Sequence, residues 1–227
     1  MKKILFITLP QFGYDTDMYN MSKLLSDEYH IYFLCYNRHL DIIPNDKVRV
    51  MYIDNYKKGI MSKLLLVKKS IEYAVNNDID IVFVLYFPGC SLLNLFIKKR
   101  KMIVNVRTGS VEPKKIRRLI MNKLITFESK RFPIISIISN SLMELLKLNI
   151  DKSFILPLGA NTMIKPDDKS TKIEMSLLYV GIFEQRKIED TIIGFINFYK
   201  KYHEKINCKY TITGYSSDKD TEDRLVQ

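Results

Sequence analysis

The stretch "SLLYVGIFEQRKIEDTIIGF", residues 176–195, decides how this chain is read. An apolar run ends at Gly181, a short charged segment follows from Glu184 to Lys187, and apolar residues then return at helical spacing. That order predicts a strand, a turn and a helix, with the turn facing a ligand. Arg186 and Lys187 fall where the helix begins. Helix N-termini favour acids, so two cations there are locally unfavourable unless an anion lies between them and the free backbone amides. A diphosphate is such an anion. Two solvated surface charges would give the same sequence. The unit also comes late, because the chain ends 32 residues after Phe195.

Outward from this stretch the pattern differs on the two sides. After it come the rest of a helix (187–203), a strand "KYTITG" (209–214) and a polar tail. Before it lies a polar, proline-containing segment, read as a linker over 161–175. Residues 1–160 alternate strands and helices. Strands are expected at 2–9, 30–36, 48–54, 79–87, 101–107, 132–139 and 153–159. Helices are expected at 14–28, 60–76, 113–127 and 140–148, with Pro113 opening the third at a position a first helical turn tolerates. Met18, Met21, Leu24 and Leu25 are expected on the inward face of the first helix, and Ile60, Leu64, Val67, Ile71 and Val75 on that of the second. Runs such as "IDIVFVLYF" are unbroken rather than alternating, as in strands buried on both faces of a parallel sheet. The expectation is an α/β protein: a complete Rossmann-like parallel-sheet domain (1–160), a linker (161–175) and the first βαβ unit of a second such domain (176–227). An isolated βαβ unit buries too little apolar surface to stand alone. A single closed sheet absorbing 176–214 would instead indicate an unrelated nucleotide-binding protein.

Composition excludes several classes. Nothing reaches the roughly 18 consecutive apolar residues of a membrane span. The start, "MKKILFITLPQFGYD", lacks the longer apolar run and small-residue cleavage site of a signal peptide, which points to the cytoplasm. Cys35, Cys90 and Cys208 are far apart, with no CxxC and no histidine cluster, so no disulfide framework or metal site is indicated. There is no nucleophile elbow, HExxH or Walker loop.

The net charge of +11 is concentrated. Residues 98–131 hold 12 basic and 2 acidic side chains. Their helix sets Ile116, Leu119, Ile120, Leu124 and Phe127 in a stripe beside Lys114, Lys115, Arg117, Arg118 and Lys123. A basic amphipathic helix suits an anionic membrane surface, although an ordinary exposed helix of a basic protein looks alike. Nucleic acid is disfavoured, since no recognition motif is present and the aromatics lie mostly inside strands. Two further positions stand out. Gly13, in the turn "LPQFGYDTD", would let the backbone approach a phosphate or sugar at the start of a helix, or would simply make a turn. Arg107 ends a central strand, where it would meet an anionic ligand or pair with Glu112 or Glu128.

"FPIISIISNSLMELL" (132–146), "SFILPLGANT" (153–162), "LLYVGIFEQRKIEDTIIGF" (177–195) and "YTITGY" (210–215) together resemble the middle of a family 4 glycosyltransferase with the GT-B fold. The resemblance implies retaining transfer of a sugar from a nucleotide-sugar to an acceptor, without metal or other cofactor. It aligns Lys187 with the lysine that binds the donor diphosphate, Gly181 with the strand-end glycine, and Gly13 with the N-terminal loop near the donor phosphates. The family's arginine after that glycine is Ile182 here and its glycine after the lysine is Ile188, which leaves Arg186 as the substitute cation. The family's paired-glutamate motif is absent, which implies a fragment, inactive alone. Arg107 is the acceptor-side candidate, and no catalytic residue is assigned. The implied setting is bacterial surface polysaccharide or glycolipid assembly, on a lipid-linked or saccharide acceptor and at the inner face of the membrane. The alternative is a non-catalytic acceptor-binding or membrane-docking half of a split transferase, with a partner chain supplying the rest.

Overall fold

The computed structural model describes residues 1–54, 59–97, 101–159, 174–182 and 188–215. The chain divides into two compact units, Met1–Asn161 and Thr162–Gln227.

In the first unit, seven strands form one sheet: β1 (Lys3–Ile7), β2 (His30–Tyr36), β3 (Val48–Ile53), β4 (Ile81–Leu85), β5 (Lys101–Val106), β6 (Ile134–Ile137) and β7 (Ser153–Ile155). Their order is β3-β2-β1-β4-β5-β6-β7, and every pairing is parallel. The strand order reverses direction between β1 and β4, the point where ligands collect in open α/β sheets. Alternate side chains divide between two cores, as the period of two requires. Ile4, Phe6, Phe33 and Phe83 meet Met18 of helix α1 (Thr16–Leu25) on one face. Leu5, Ile7, Val82 and Val84 meet the other helices on the opposite face: α2 (Ile60–Asn76), α3 (Leu93–Phe96), α4 (Lys115–Ser129) and α5 (Asn140–Leu145). Phe12, in the turn after β1, is fully buried and sits edge-on to Phe33 at 5.0 Å, which pins that turn to the core.

Helix α2 buries a face rotated from the expected one, and α1 departs from expectation at a single residue. In α2 the buried residues are Ser62, Leu66, Val67, Ser70 and Ala74, while Ile60, Leu64 and Val75 are exposed. The buried face lies about a third of a turn from the apolar stripe. The serine hydroxyls on this face are satisfied by donating to Gly59 O and Leu66 O. In α1, Met18 is buried and Met21 and Leu25 pack against the same core as expected, while Leu24 is 76% exposed. Lys114 is the N-cap of α4, so Pro113 precedes the helix rather than opening it. Glu128 of α4 is buried and accepts from Tyr86 Oη (2.8 Å), Gly89 N (2.8 Å) and Ser91 Oγ (3.2 Å), tying α4 to the turn after β4. Burial, and then the hydrogen bond to Glu128, push the Tyr86 phenol well above its ordinary range.

The second unit pairs β8 (Glu174–Ile182) with β9 (Asn207–Tyr215) in parallel, joined by α6 (Ile188–Tyr202). Leu178 and Val180 of β8 are 67% and 69% exposed, and Leu177, Ile193 and Ile196 are exposed as well. The expected linker lies outside the described residues, apart from Glu174 and Met175, which already belong to β8.

Candidate functional site

The site of the first unit grows from the acids that open α1. Asp15 is the N-cap, its Oδ1 accepting from Met18 N at 3.0 Å, and Asp17 lies in the first turn. From the carboxyl end of β5, Arg107 reaches back to both. Its Nη1 donates to Asp15 Oδ1 at 2.7 Å and lies 3.2 Å from Asp17 Oδ2. All three side chains are mostly buried. Arg107 therefore pairs with neither Glu112 nor Glu128. Its Nη2 is buried and has no hydrogen-bond partner among the described residues. A second polar residue, Asn105, is buried two positions earlier in β5, accepting at Oδ1 from Ser136 Oγ at 3.0 Å. Among the described residues its amide nitrogen meets a sulfur, Met18 Sδ at 3.9 Å.

These groups line a pocket of about 300 Å³. Asp17, Asn20, Asn105 and Arg107 supply its polar wall; Met21 and Leu24 of α1, Ile138 after β6, and Leu156 and Leu158 after β7 supply the apolar one. The pocket opens at the carboxyl ends of β5, β6 and β7. The arrangement suits a ligand with hydroxyl groups on one side and C–H surface on the other. Because Arg107 already faces two carboxylates, the three charges sum to −1, which makes the cluster a poor seat for a bare phosphate. Leu24, out of place as a core residue, is a wall of this pocket.

The other sequence-identified positions fall as follows. Gly13 has φ +89°, a left-handed conformation that favours glycine, and a Cβ there would lie 2.1 Å from Ile43 Cδ1. The turn is held by buried Gln11, which donates to Leu40 O and accepts from Arg38 N, both at 2.8 Å. Gly13 thus has a packing role whatever else it does. Gly181 pairs in register with Gly214 near the carboxyl end of the two-stranded sheet, and the Tyr179 phenol lies against it, so that a Cβ there would sit 3.1 Å from Tyr179 Oη. Glu189 and Asp190 occupy the first turn of α6. Arg186 and Lys187 lie outside the described residues. Lys114, Lys115, Arg117, Arg118 and Lys123 are all exposed on α4. Asp15, Asp17, Asn20 and Asn105 were not singled out from sequence. Two signals were present: the acids in "YDTD" just before a helix, and an asparagine inside the apolar strand "KMIVNVR". Among the described residues, no three His, Cys, Asp or Glu side chains converge as a metal-binding group. Among the same residues, no helix is long and apolar enough to cross a membrane.

No family model matches the chain, and no curated protein is significantly similar to it. Solved structures do match. Anabaena HepE, in complex with UDP and glucose, is 13% identical, with a TM-score of 0.64 over 100% of this chain and 65% of its own. A trehalose-6-phosphate protein from E. coli bound with UDP-2-fluoro glucose is 7% identical, with a TM-score of 0.62 over 99% of this chain and 68% of its own. UDP-N-acetylglucosamine 2-epimerase from Rickettsia bellii is 15% identical, with a TM-score of 0.55 over 100% of this chain and 65% of its own. The chain thus has a GT-B-like, Rossmann-like α/β fold and spans about two thirds of the length of these three proteins. At such identities the likeness is one of fold, and the fold is common to transferases and an epimerase.

Proposed function

We propose that the protein is a nucleotide-sugar-dependent glycosyltransferase of the retaining, family 4 type, with its acceptor held in the Arg107 pocket. The observation that carries this reading is that pocket: a mixed polar and apolar cavity at the carboxyl ends of β5–β7, containing a guanidinium nitrogen with no partner among the described residues, in a fold whose similar structures include complexes with UDP-sugars. Arg107, Asn105 and Asn20 position the acceptor, a saccharide or the sugar end of a lipid-linked carrier. Gly181, Arg186 and Lys187 receive the donor diphosphate. In the reaction, the acceptor oxygen bonds to the donor's anomeric carbon as the bond from that carbon to the diphosphate oxygen breaks. The diphosphate leaves with the electron pair and takes up the hydroxyl proton. Fixed cations favour this step because negative charge develops on the leaving group. No metal or other cofactor enters the scheme. The work belongs to cytoplasmic assembly of bacterial surface polysaccharide or glycolipid.

We also propose that β8, α6 and β9 begin a donor domain completed by further chain, either continuous or contributed by a partner. The exposed apolar residues of β8 and α6 support this, since a two-stranded sheet with one helix cannot cover them. The alternative, a non-catalytic half of a split transferase, is favoured by the same observation. The test is a transfer assay with a panel of nucleotide-sugars, alongside calorimetric titration of short saccharides. The 227-residue chain should bind a saccharide and turn over negligibly. Robust turnover by this chain alone would sink the incomplete-domain reading. Saccharide affinity unchanged by Arg107→Met would sink the acceptor assignment.

A further inference from the structure

Helix α4 carries two stripes. Ile125, Glu128 and Ser129 face the core. On the opposite side Ile116, Leu119, Ile120 and Phe127 are exposed, at 75%, 54%, 59% and 56%. An amphipathic helix normally turns its apolar stripe inward; α4 turns one outward, at i, i+3, i+4 and i+11. Lys123 stands within this stripe, Lys115 and Arg117 flank it, and Lys114 and Arg118 complete the basic end of the helix, all of them exposed. The surface continues past the helix. The Arg131 guanidinium lies 3.9 Å over the Phe127 ring and also lines a hollow with Leu95 of α3, which is exposed together with Phe96.

We propose that this face of α4 and α3 is a docking surface for an anionic lipid bilayer. The occupant must offer an apolar interior beneath a negatively charged surface, because the face presents both kinds of group at once. Of the two acids in residues 98–131, Glu128 points inward and is buried, leaving Glu112 as the one other acid of that segment. A second copy of the same face would be repelled by that charge. A nucleic acid would satisfy the lysines and arginines but leave the stripe in water. A helix of this kind lies in the membrane plane, its apolar side sunk roughly 5–10 Å below the headgroups. The long basic side chains extend their charges upward to the phosphates. The inference rests on the geometry of α4 and stands apart from the transfer reading.

Sedimentation with phosphatidylcholine vesicles, with and without phosphatidylglycerol, tests it. The 227-residue protein should bind the acidic vesicles and leave them as salt rises. Each cation near the surface is worth up to about fivefold in partitioning, so K114Q/K115Q/R117Q/R118Q should lose well over tenfold. I116Q/I120Q should also lose several-fold, an effect that a purely electrostatic site would not show. Far-UV circular dichroism of both variants should match the unsubstituted protein, since all six positions are exposed. Four results would each overturn the proposal: no vesicle binding, binding indifferent to phosphatidylglycerol, full binding by I116Q/I120Q, or tighter binding to a nucleic-acid duplex than to acidic vesicles at the same salt. The first two need no variant.

Discussion

Replacing Arg107 with methionine keeps most of the stem and removes the cation that joins β5 to the start of α1. Two contacts are lost, at 2.7 Å to Asp15 and 3.2 Å to Asp17. The charged hydrogen bond to Asp15 contributes about 1.5–3 kcal/mol, and the carboxylates left behind without a cation add about 1 kcal/mol. Against this, the buried Nη2 that has no partner among the described residues disappears too, relieving about 1 kcal/mol. The net expectation is about 2–3 kcal/mol of destabilisation, well above the ~0.5 kcal/mol typical of surface changes. With a urea slope of about 2 kcal/mol per M, the midpoint should fall by roughly 1–1.5 M. Asp15→Asn is the informative companion. Asparagine caps a helix about as well as aspartate, so the Met18 amide keeps its acceptor and only the charge is lost, at about 1 kcal/mol. The double variant should lose less than the sum of the two, because both changes remove one shared contact. The chain has no tryptophan, so far-UV circular dichroism is the suitable probe. If Arg107→Met stays within about 0.5 kcal/mol of the parent, or if Asp15→Asn costs as much as Arg107→Met, this account of the pocket's charged wall fails.

Other consequences follow from the same structure. Glu128→Ala should cost about 3–5 kcal/mol by leaving the Gly89 amide and Ser91 hydroxyl buried without their acceptor. Glu128→Gln, which keeps an acceptor oxygen, should cost under half of that, and equal midpoints for the two variants would show that the carboxylate is not holding this turn. Burial pushes the Cys35 and Cys90 thiols up to about 12, from 9.0 in the open chain. Below about pH 9 both states keep their protons and stability is intact; above it the unfolded chain loses protons first. Each thiol then removes up to ~1.4 kcal/mol per pH unit until the folded thiols ionise as well. Urea midpoints at pH 8, 9 and 10 should therefore fall, less steeply in Cys35→Ala and Cys90→Ala, and parallel slopes in all three proteins would refute this. Gly13→Ala should destabilise by about 2–3 kcal/mol through a strained positive φ and a clash with Ile43. Ile43→Ala added to it should relieve the clash but not the φ strain, and full recovery by thermal melting would show that φ is not limiting.

The elements that sequence located best are those whose signal is local. Unbroken apolar runs such as "ILFI" and "IVFV" became β1 and β4, because a strand buried on both faces needs no information about its partners. The site was less legible for the opposite reason. Arg107 was visible as a cation at a strand end, but its partners Asp15 and Asp17 lie 92 and 90 positions away. Nothing in the spacing of one strand tells which helix N-terminus the fold will set beside it. Asn105 shows the same limit, since its function as a pocket wall depends on Ser136 from β6 and Met18 from α1.

Helix α4 marks where pattern reading misleads. Periodicity establishes that a helix has an apolar stripe, and the usual inference is that the stripe faces the core. In α4 the stripe is real and the inference fails, because the core side is occupied by Ile125, half-buried Leu124, Ser129 and the hydrogen-bonded carboxylate of Glu128. A buried glutamate on a core-facing position is something sequence reasoning discounts, since it requires donors that only the turn after β4 provides. Once Glu128 is anchored inward by Tyr86, Gly89 and Ser91, the rotation of α4 is settled, and Ile116, Ile120 and Phe127 have to point outward. The polar lock and the exposed apolar face are thus two consequences of one rotation. Glu128→Ala loosens that lock, so it should weaken vesicle binding together with stability, whereas Glu128→Gln should largely spare both.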